Sequence, residues 1–193
     1  MNKTVNKSGE INLIIGCMFS GKTSELIKEC RRRLIINQKV LGINYSDDRR
    51  YTEEDYIVAH NLEKIKCIRV KHLADIAENE IKKVDFIFID EGQFFPDLKE
   101  YVVKWCDEYN KSITVISLDG DFQRNIFGHV IDLIPHCDNV TKLKALCKLC
   151  SDGTNALFTS RISNENQQVV IGVDNYLPLC RTHYLEQNKK IYL

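Results

Sequence analysis

"GCMFSGKT", residues 16–23, fits the pattern G-x-x-x-x-G-K-S/T at every defined position. The pattern has physical meaning only where a strand runs into it and a helix runs out. Both conditions are met here: "INLIIG" (11–16) is an apolar run that reads as a buried strand. From Lys22 to Ile36 apolar residues recur at helical spacing, with Leu26, Cys30 and Leu34 on one face. At such a turn the loop N–H groups and the helix N-terminus converge on an anion. Lys22 is placed to reach the β- and γ-phosphates of a nucleotide, and the Thr23 hydroxyl to hold Mg²⁺. Gly16, Cys17, Met18, Phe19, Ser20, Gly21, Lys22 and Thr23 are therefore the candidate ATP cradle.

Downstream, "KVLGINY" (39–45) reads as a second strand, 46–60 as a long polar loop, and the region near 72–80 as a helix. "VDFIFID" (84–90) has no polar alternation and is expected to be buried on both faces. It ends in "DEGQFFPD" (90–97), which puts two acids at the mouth of a buried strand. Asp90 stands where the second element of a phosphate-loop site holds magnesium, so Asp90 and Thr23 form the candidate Mg²⁺ pair. Glu91 fits two chemistries, orienting a water in a hydrolase or taking a proton from an alcohol in a kinase. Pro96 is expected to open a helix with Leu98, Val102, Trp105 and Tyr109 inward. "SITVISLDG" (112–120) and "NVTKLKAL" (139–146) complete the strands. Strands alternating with helices predict an α/β fold: a parallel sheet covered by helices on both faces.

Past residue 146 the pattern changes. Cys147 and Cys150 form C-x-x-C, and Cys180 and His183 form C-x-x-H. Two chelating pairs supply the four ligands of a closed, structural zinc site. Between them "NALFTSRI" and "QQVVIGV" read as short strands, and "GVDNYLPL" (172–179) as an extra loop. The expected division is a nucleotide-binding domain over 1–146 and a zinc-ribbon-like lobe over 147–193.

The chain has 193 residues, 27 basic and 27 acidic, so the net charge is zero with neutral histidines. That balance argues against a dedicated nucleic-acid binder, which carries a basic excess; residues 141–193 hold only seven basic against four acidic residues. The polar start "MNKTVNKSGE" and the short apolar run after it suggest neither leader nor membrane anchor. The eight cysteines are then expected in a reducing cytoplasm, as metal ligands or core.

"GCMFSGKT", "DEGQFFPD", "LDGDFQRNIFG" and "GVDNYLPLCRTHY" occur in that order. Together they closely resemble the cytosolic, zinc-containing thymidine kinases, from about Gly9 to Glu186. The resemblance implies phosphoryl transfer from ATP to the 5′-hydroxyl of thymidine, with deoxyuridine as a second substrate. It makes Glu91 the general base, and adds Gly92 and Gln93 to the ATP-binding set with Asp90 and Glu91. The family's thymine pocket corresponds to Met18, Phe94, Leu118, Phe122, Phe127, Thr159 and Tyr176 here, and its flexible loop to 46–60, with Asp48 and Arg50 at the charged positions. The family fold is like that of recombinase ATPases with a zinc lobe whose loop covers the nucleoside. Members are usually homotetramers inhibited by thymidine triphosphate, with no nucleic-acid partner.

Two positions depart from the family. Cys17 replaces the usual proline after the first glycine of the loop, which would put a thiol beside the nucleotide and expose activity to oxidation. His183 replaces the commoner cysteine, and imidazole is an equally good zinc ligand. The competing reading of the same residues is a P-loop ATPase whose zinc ribbon grips nucleic acid. What separates a kinase from a hydrolase is an acceptor pocket that excludes water. Phe94, Phe95, Phe122 and Phe127 are the apolar candidates for it, at the strand ends where α/β folds place ligands.

Overall fold

The computed structural model describes residues 8–47, 55–59, 61–163, 167–169 and 175–188. Strand β1 (Glu10–Gly16) feeds the glycine loop, and α1 (Lys22–Ile35) follows it. Leu26, Ile27 and Cys30 face inward, whereas Leu34, in the last turn of α1, is 46% exposed. The helix stops at Asn37, whose φ of 57° is left-handed, with its N–H on the Leu34 carbonyl. Strand β2 (Val40–Tyr45) comes next.

Of the 46–60 stretch expected to be loop, Tyr56–Val58 forms β3, antiparallel to β4 (Lys64–Lys66). Its period is hidden because only the centre of each strand, Ile57 and Ile65, turns into the core. Asp48 and Arg50 lie outside the described residues, with the rest of 48–54 and residue 60. Strand β5 (Ile68–Val70) was not evident in the sequence. The expected helix near 72–80 is a 3-10 turn (Leu73–Asp75) followed by α2 (Glu78–Lys82).

Strand β6 (Phe86–Ile89) is buried along its whole length, as expected. Helix α3 (Leu98–Asp107) starts two residues after Pro96. The intervening Asp97 does not cap α3; its carboxylate accepts the N–H groups of Leu73 (3.1 Å) and Ala74 (2.9 Å) and so anchors the 3-10 turn. Leu98, Val102, Trp105 and Cys106 are the buried face; Tyr109 lies past the helix end and donates to Glu78 at 2.9 Å. Strand β7 (Ser112–Ser117), the short helix α4 (Val130–Leu133) and β8 (Asn139–Leu143) complete the main layer.

The six strands lie in the order β5-β2-β6-β7-β1-β8, all parallel. Leu13 pairs with Val115, and Ile87 with Ile113, so β6, β7 and β1 are neighbours in register. One face packs Leu13, Ile87, Ile113 and Val115 against α3 and α4 residues such as Leu98, Val102 and Leu133. The other packs Ile14, Phe86, Phe88 and Ile116 against α1 and the β3–β4 hairpin. Alternate side chains of the strands supply each core, the signature of a sheet covered on both sides.

"NVTKLKAL" is divided between two sheets. Its second part, β9 (Ala145–Leu146), pairs antiparallel with β10 (Asn155–Ala156). Strand β11 (Phe158–Arg161) pairs with β12 (Tyr176–Leu179), and α5 (Arg181–Gln187) closes the lobe. The partner of β11 is thus the segment expected to be a loop, while Gln167, Gln168 and Val169 of "QQVVIGV" are not in a strand; residues 170–174 lie outside the described set. Among the described residues, no helix is long and apolar enough to cross a membrane.

Candidate active site and metal cluster

Because β1, β6 and β7 are adjacent and parallel, their C-terminal ends bring three loops to one place. These are Gly16–Thr23, Asp90–Gln93 and the turn beginning at Leu118. The glycine loop is a tight backbone structure. A Cβ on Gly16 would meet the Leu143 carbonyl oxygen at 2.5 Å, and Gly21 heads α1 with φ 84°. Phe19 is also left-handed, at φ 64°. Lys22 donates from Nζ to the Cys17 carbonyl at 2.8 Å and to Ser20 Oγ at 3.5 Å, holding the loop closed around its own side chain. Burial pulls the Lys22 pKa below that of an ordinary lysine, opposed by the charges of Glu91, Cys17, Asp90 and Asp119. An ammonium in that setting is a ready partner for phosphate. Thr23 stands in the first turn of α1.

Asp90 is 4% exposed, and its Oδ1 accepts the Glu91 N–H at 2.8 Å. Glu91 itself sits at φ 54°, an uncommon backbone for a residue with a Cβ, which turns its side chain off the strand direction. Its carboxylate accepts from Gln93 Nε2. The Gln93 Oε1 accepts from Ser117 Oγ (2.8 Å) and the Leu118 N–H (3.1 Å). A carboxylate only accepts and a backbone N–H only donates, so these neighbours fix which way the amide points. Gln93 is 3% exposed, and its side chain links Glu91 to the end of β7. Gly92 and Gly128 permit this packing: a Cβ on Gly92 would meet Val115 Cγ1 at 2.8 Å, and one on Gly128 the Gln93 carbonyl oxygen at 2.2 Å.

The aromatic candidates separate into two contacts. Phe94 packs edge-on against Phe127 (centroids 5.5 Å) and stacks on Tyr45 (5.1 Å), a ring the sequence reading missed. Phe95, by contrast, is wholly buried in the main core. Phe122 and Tyr176 meet the same guanidinium, that of Arg161. Thr159 Oγ1 accepts the Met18 N–H at 2.9 Å and so ties β11 to the phosphate loop. Leu118 is half-buried at the end of β7. The Tyr184 hydroxyl donates to the Phe122 carbonyl at 2.7 Å, fastening α5 to the loop that follows β7. Asp121 organises that loop by accepting from the N–H groups of Gln123 (2.9 Å) and Asn125 (2.8 Å). The only signal for Arg161 in the sequence is its place two residues after Thr159, on the same side of a strand.

The Cys17 thiol lies in the core of the C-terminal lobe. It packs with Ala145, Cys147 and Ala156, and its thiol donates to the Ala156 carbonyl at 3.6 Å. Burial pushes the thiol pKa up, with only partial relief from the Ala145 backbone and Lys22, so little reactive thiolate forms.

The ligand atoms of Cys147, Cys150, Cys180 and His183 all lie within 4.8 Å of one another. With metal–sulfur bonds of about 2.3 Å and metal–nitrogen bonds of about 2.0 Å, a zinc tetrahedron has sulfur–sulfur edges near 3.8 Å and sulfur–nitrogen edges near 3.5 Å. Cys150 and Cys180 are 3.8 Å apart, and His183 Nδ1 is 3.5, 3.3 and 3.4 Å from Cys147, Cys150 and Cys180. These edges fit a tetrahedral metal with no open position. The lobe core beside it is small, essentially Ala145, Ala156, Leu179 and Tyr184 with the cysteines, so a staple is needed there.

The family model described as thymidine kinase matches residues 9–184. A thymidine kinase of Oryza sativa subsp. japonica is 41% identical over 184 residues, covering 92% of this chain and 67% of the rice protein. Those of Yaba monkey tumor virus and Variola virus are each 39% identical, over 187 and 179 residues. They cover 95% and 92% of this chain and 98% of each viral protein. A match of that extent takes in the phosphate loop, the paired acids and the metal cluster together: the chain belongs to the thymidine kinase family of ATP-dependent enzymes.

Proposed function

We propose that the protein transfers the γ-phosphoryl group of ATP to the 5′-hydroxyl of thymidine, and of deoxyuridine. The observation that carries this is the convergence of the glycine loop, Asp90–Glu91 and the aromatic loop at the ends of three adjacent strands. In the reaction Glu91 accepts the hydroxyl proton, the 5′-oxygen attacks the γ-phosphorus, and the bond to the β,γ-bridging oxygen breaks to leave ADP. Phosphoryl transfer asks mainly for positioning and neutralisation of charge. Residues 16–23 with Asp90–Gln93 hold ATP, and Lys22 offsets the phosphate charge. The buried Asp90 carboxylate and the Thr23 hydroxyl are a hard oxygen pair suited to Mg²⁺, which when bound neutralises the β- and γ-phosphates.

Glu91 is aimed by Gln93, whose own oxygen is pinned by Ser117 and Leu118. Met18, Phe94, Leu118, Phe122, Phe127, Thr159 and Tyr176 form the base site. A pocket that hydrogen-bonds a pyrimidine edge rejects purines by size and cytosine by mismatched donors. Residues 147–193 are a lobe stapled by structural zinc, with β9 joining it to the nucleotide-binding domain of 1–146. Family likeness further supports a cytoplasmic homotetramer inhibited by thymidine triphosphate.

The test is the fate of the phosphoryl group. With γ-labelled ATP, Mg²⁺ and thymidine, label should appear on the nucleoside. Label found only in free phosphate, and released faster with nucleic acid, would instead support the ATPase reading.

A further inference from the structure

We propose that Arg161 is a positioning residue that fixes the two aromatic walls of the nucleoside site, Phe122 and Tyr176, relative to each other. The inference rests on reading those two rings as base contacts. Arg161 and Tyr176 are register partners across the β11–β12 pair. The guanidinium carbon lies 3.7 Å from the Phe122 ring centroid, a stacking distance, and 5.2 Å from that of Tyr176. Nη2 donates to the Tyr176 hydroxyl at 2.7 Å and to the Gln168 carbonyl at 2.9 Å, and Nη1 donates to the Gln167 carbonyl. Gln168 in turn donates to Asp121 Oδ2 at 3.0 Å, next to Phe122 in the chain. Arg161 is only 9% exposed, so a charged group is kept inside the protein in a fixed plane.

That arrangement uses what distinguishes arginine from lysine. A planar fork can stack on one ring while donating sideways to a hydroxyl and two carbonyls; a single ammonium cannot do both. Thr159, two residues earlier on the same face of β11, holds the Met18 N–H of the phosphate loop. One strand face therefore meets both parts of the site, the phosphate loop through Thr159 and the two aromatic rings through Arg161. The two effects are separable by kinetics. Loss of the guanidinium frees the Phe122 and Tyr176 rings to rotate, which weakens the grip on a flat base and leaves the ATP cradle alone.

The experiment is steady-state kinetics on Arg161→Lys, Tyr176→Phe, Phe122→Ala and the Arg161→Lys/Tyr176→Phe double variant, with zinc content and the urea midpoint measured alongside. Arg161→Lys should raise KM for thymidine about tenfold while KM for ATP stays within about twofold. Tyr176→Phe, which removes only the hydroxyl, should raise KM for thymidine several-fold, and the double variant should fall short of the product of the two. Should Arg161→Lys fail to fold, Tyr176→Phe tests the same contact alone, and an unchanged KM for thymidine there overturns the proposal. It is also overturned if Arg161→Lys leaves KM for thymidine unchanged, or raises both KM values together as general loosening would. If Phe122→Ala shifts KM for thymidine and Arg161→Lys does not, only the role of Arg161 fails. If neither Phe122→Ala nor Tyr176→Phe shifts it, the base-site reading of the two rings fails as well.

Discussion

Gly128→Ala should damage catalysis far more than its size suggests, and Gly153→Ala supplies the control. Both glycines have left-handed φ, +61° and +91°, so an alanine at either meets a backbone penalty of about 1–2 kcal/mol. Their surroundings differ. Nothing lies within 4 Å of a Cβ built on Gly153, whereas one on Gly128 would meet the Gln93 carbonyl oxygen at 2.2 Å and its carbonyl carbon at 2.9 Å. Ordinary contact begins at 3.4 Å, so the Gln93 backbone or the 128 loop must retreat by about 1.2 Å. Gln93 holds the Glu91 carboxylate, and a catalytic group displaced by about 1 Å loses on the order of a hundredfold in rate. Urea unfolding should show a loss of about 1–2 kcal/mol for Gly153→Ala and about 2–5 kcal/mol for Gly128→Ala. Kinase assays should show kcat within about twofold of the parent for Gly153→Ala and down about a hundredfold for Gly128→Ala. Equal kcat in the two variants would refute the link from Gly128 through Gln93 to Glu91.

Metal analysis should find about one zinc per chain, and its removal by a chelator should lower the thermal midpoint by about 10 °C and open the lobe to proteolysis. Metal-free protein of unchanged stability would contradict a structural role for the four ligands. The half-buried Lys22 ammonium gives a pH dependence of defined sign. Its folded-state pKa is lowered, so between that value and the ordinary 10.5 the unfolded chain binds the extra proton and stability rises with pH. Below that window the desolvation penalty is fully present. Lys22→Met should therefore abolish transfer, and its ligand-free stability relative to the parent should be greatest at neutral pH and shrink towards pH 10 in paired urea titrations.

What could be read in the sequence was local chemistry at fixed spacing. Gly16–Thr23, the uninterrupted apolar run ending at Asp90, and the two chelating pairs each depend on residues close in the chain. The parallel sheet followed from the alternation of runs. What stayed hidden depends on partners far away. Ile57 and Ile65 are the buried centres of two strands of only three residues, and their pairing is stabilised by covering α1 and one sheet face. Tyr176–Leu179 contains Pro178 and reads as loop until Phe158–Arg161 is set beside it. Tyr45 and Arg161 reach the site across the sheet and the lobe, from segments with no motif of their own. Cys17 is divided between two settings: its carbonyl stays in the glycine loop as the acceptor of Lys22 Nζ, while packing with Ala145 and Ala156 draws the thiol into the lobe core.

Glu91 is proposed as the group that takes the proton of an alcohol. Glu91→Gln keeps the size and polarity of the side chain and removes its basicity. Thymidine and ATP affinities should be measured by calorimetry and kcat by single-turnover transfer, on the same preparation. The kcat of Glu91→Gln should fall about a hundredfold to ten-thousandfold, with both affinities within a few-fold of the parent. A variant that keeps its transfer rate would contradict that role.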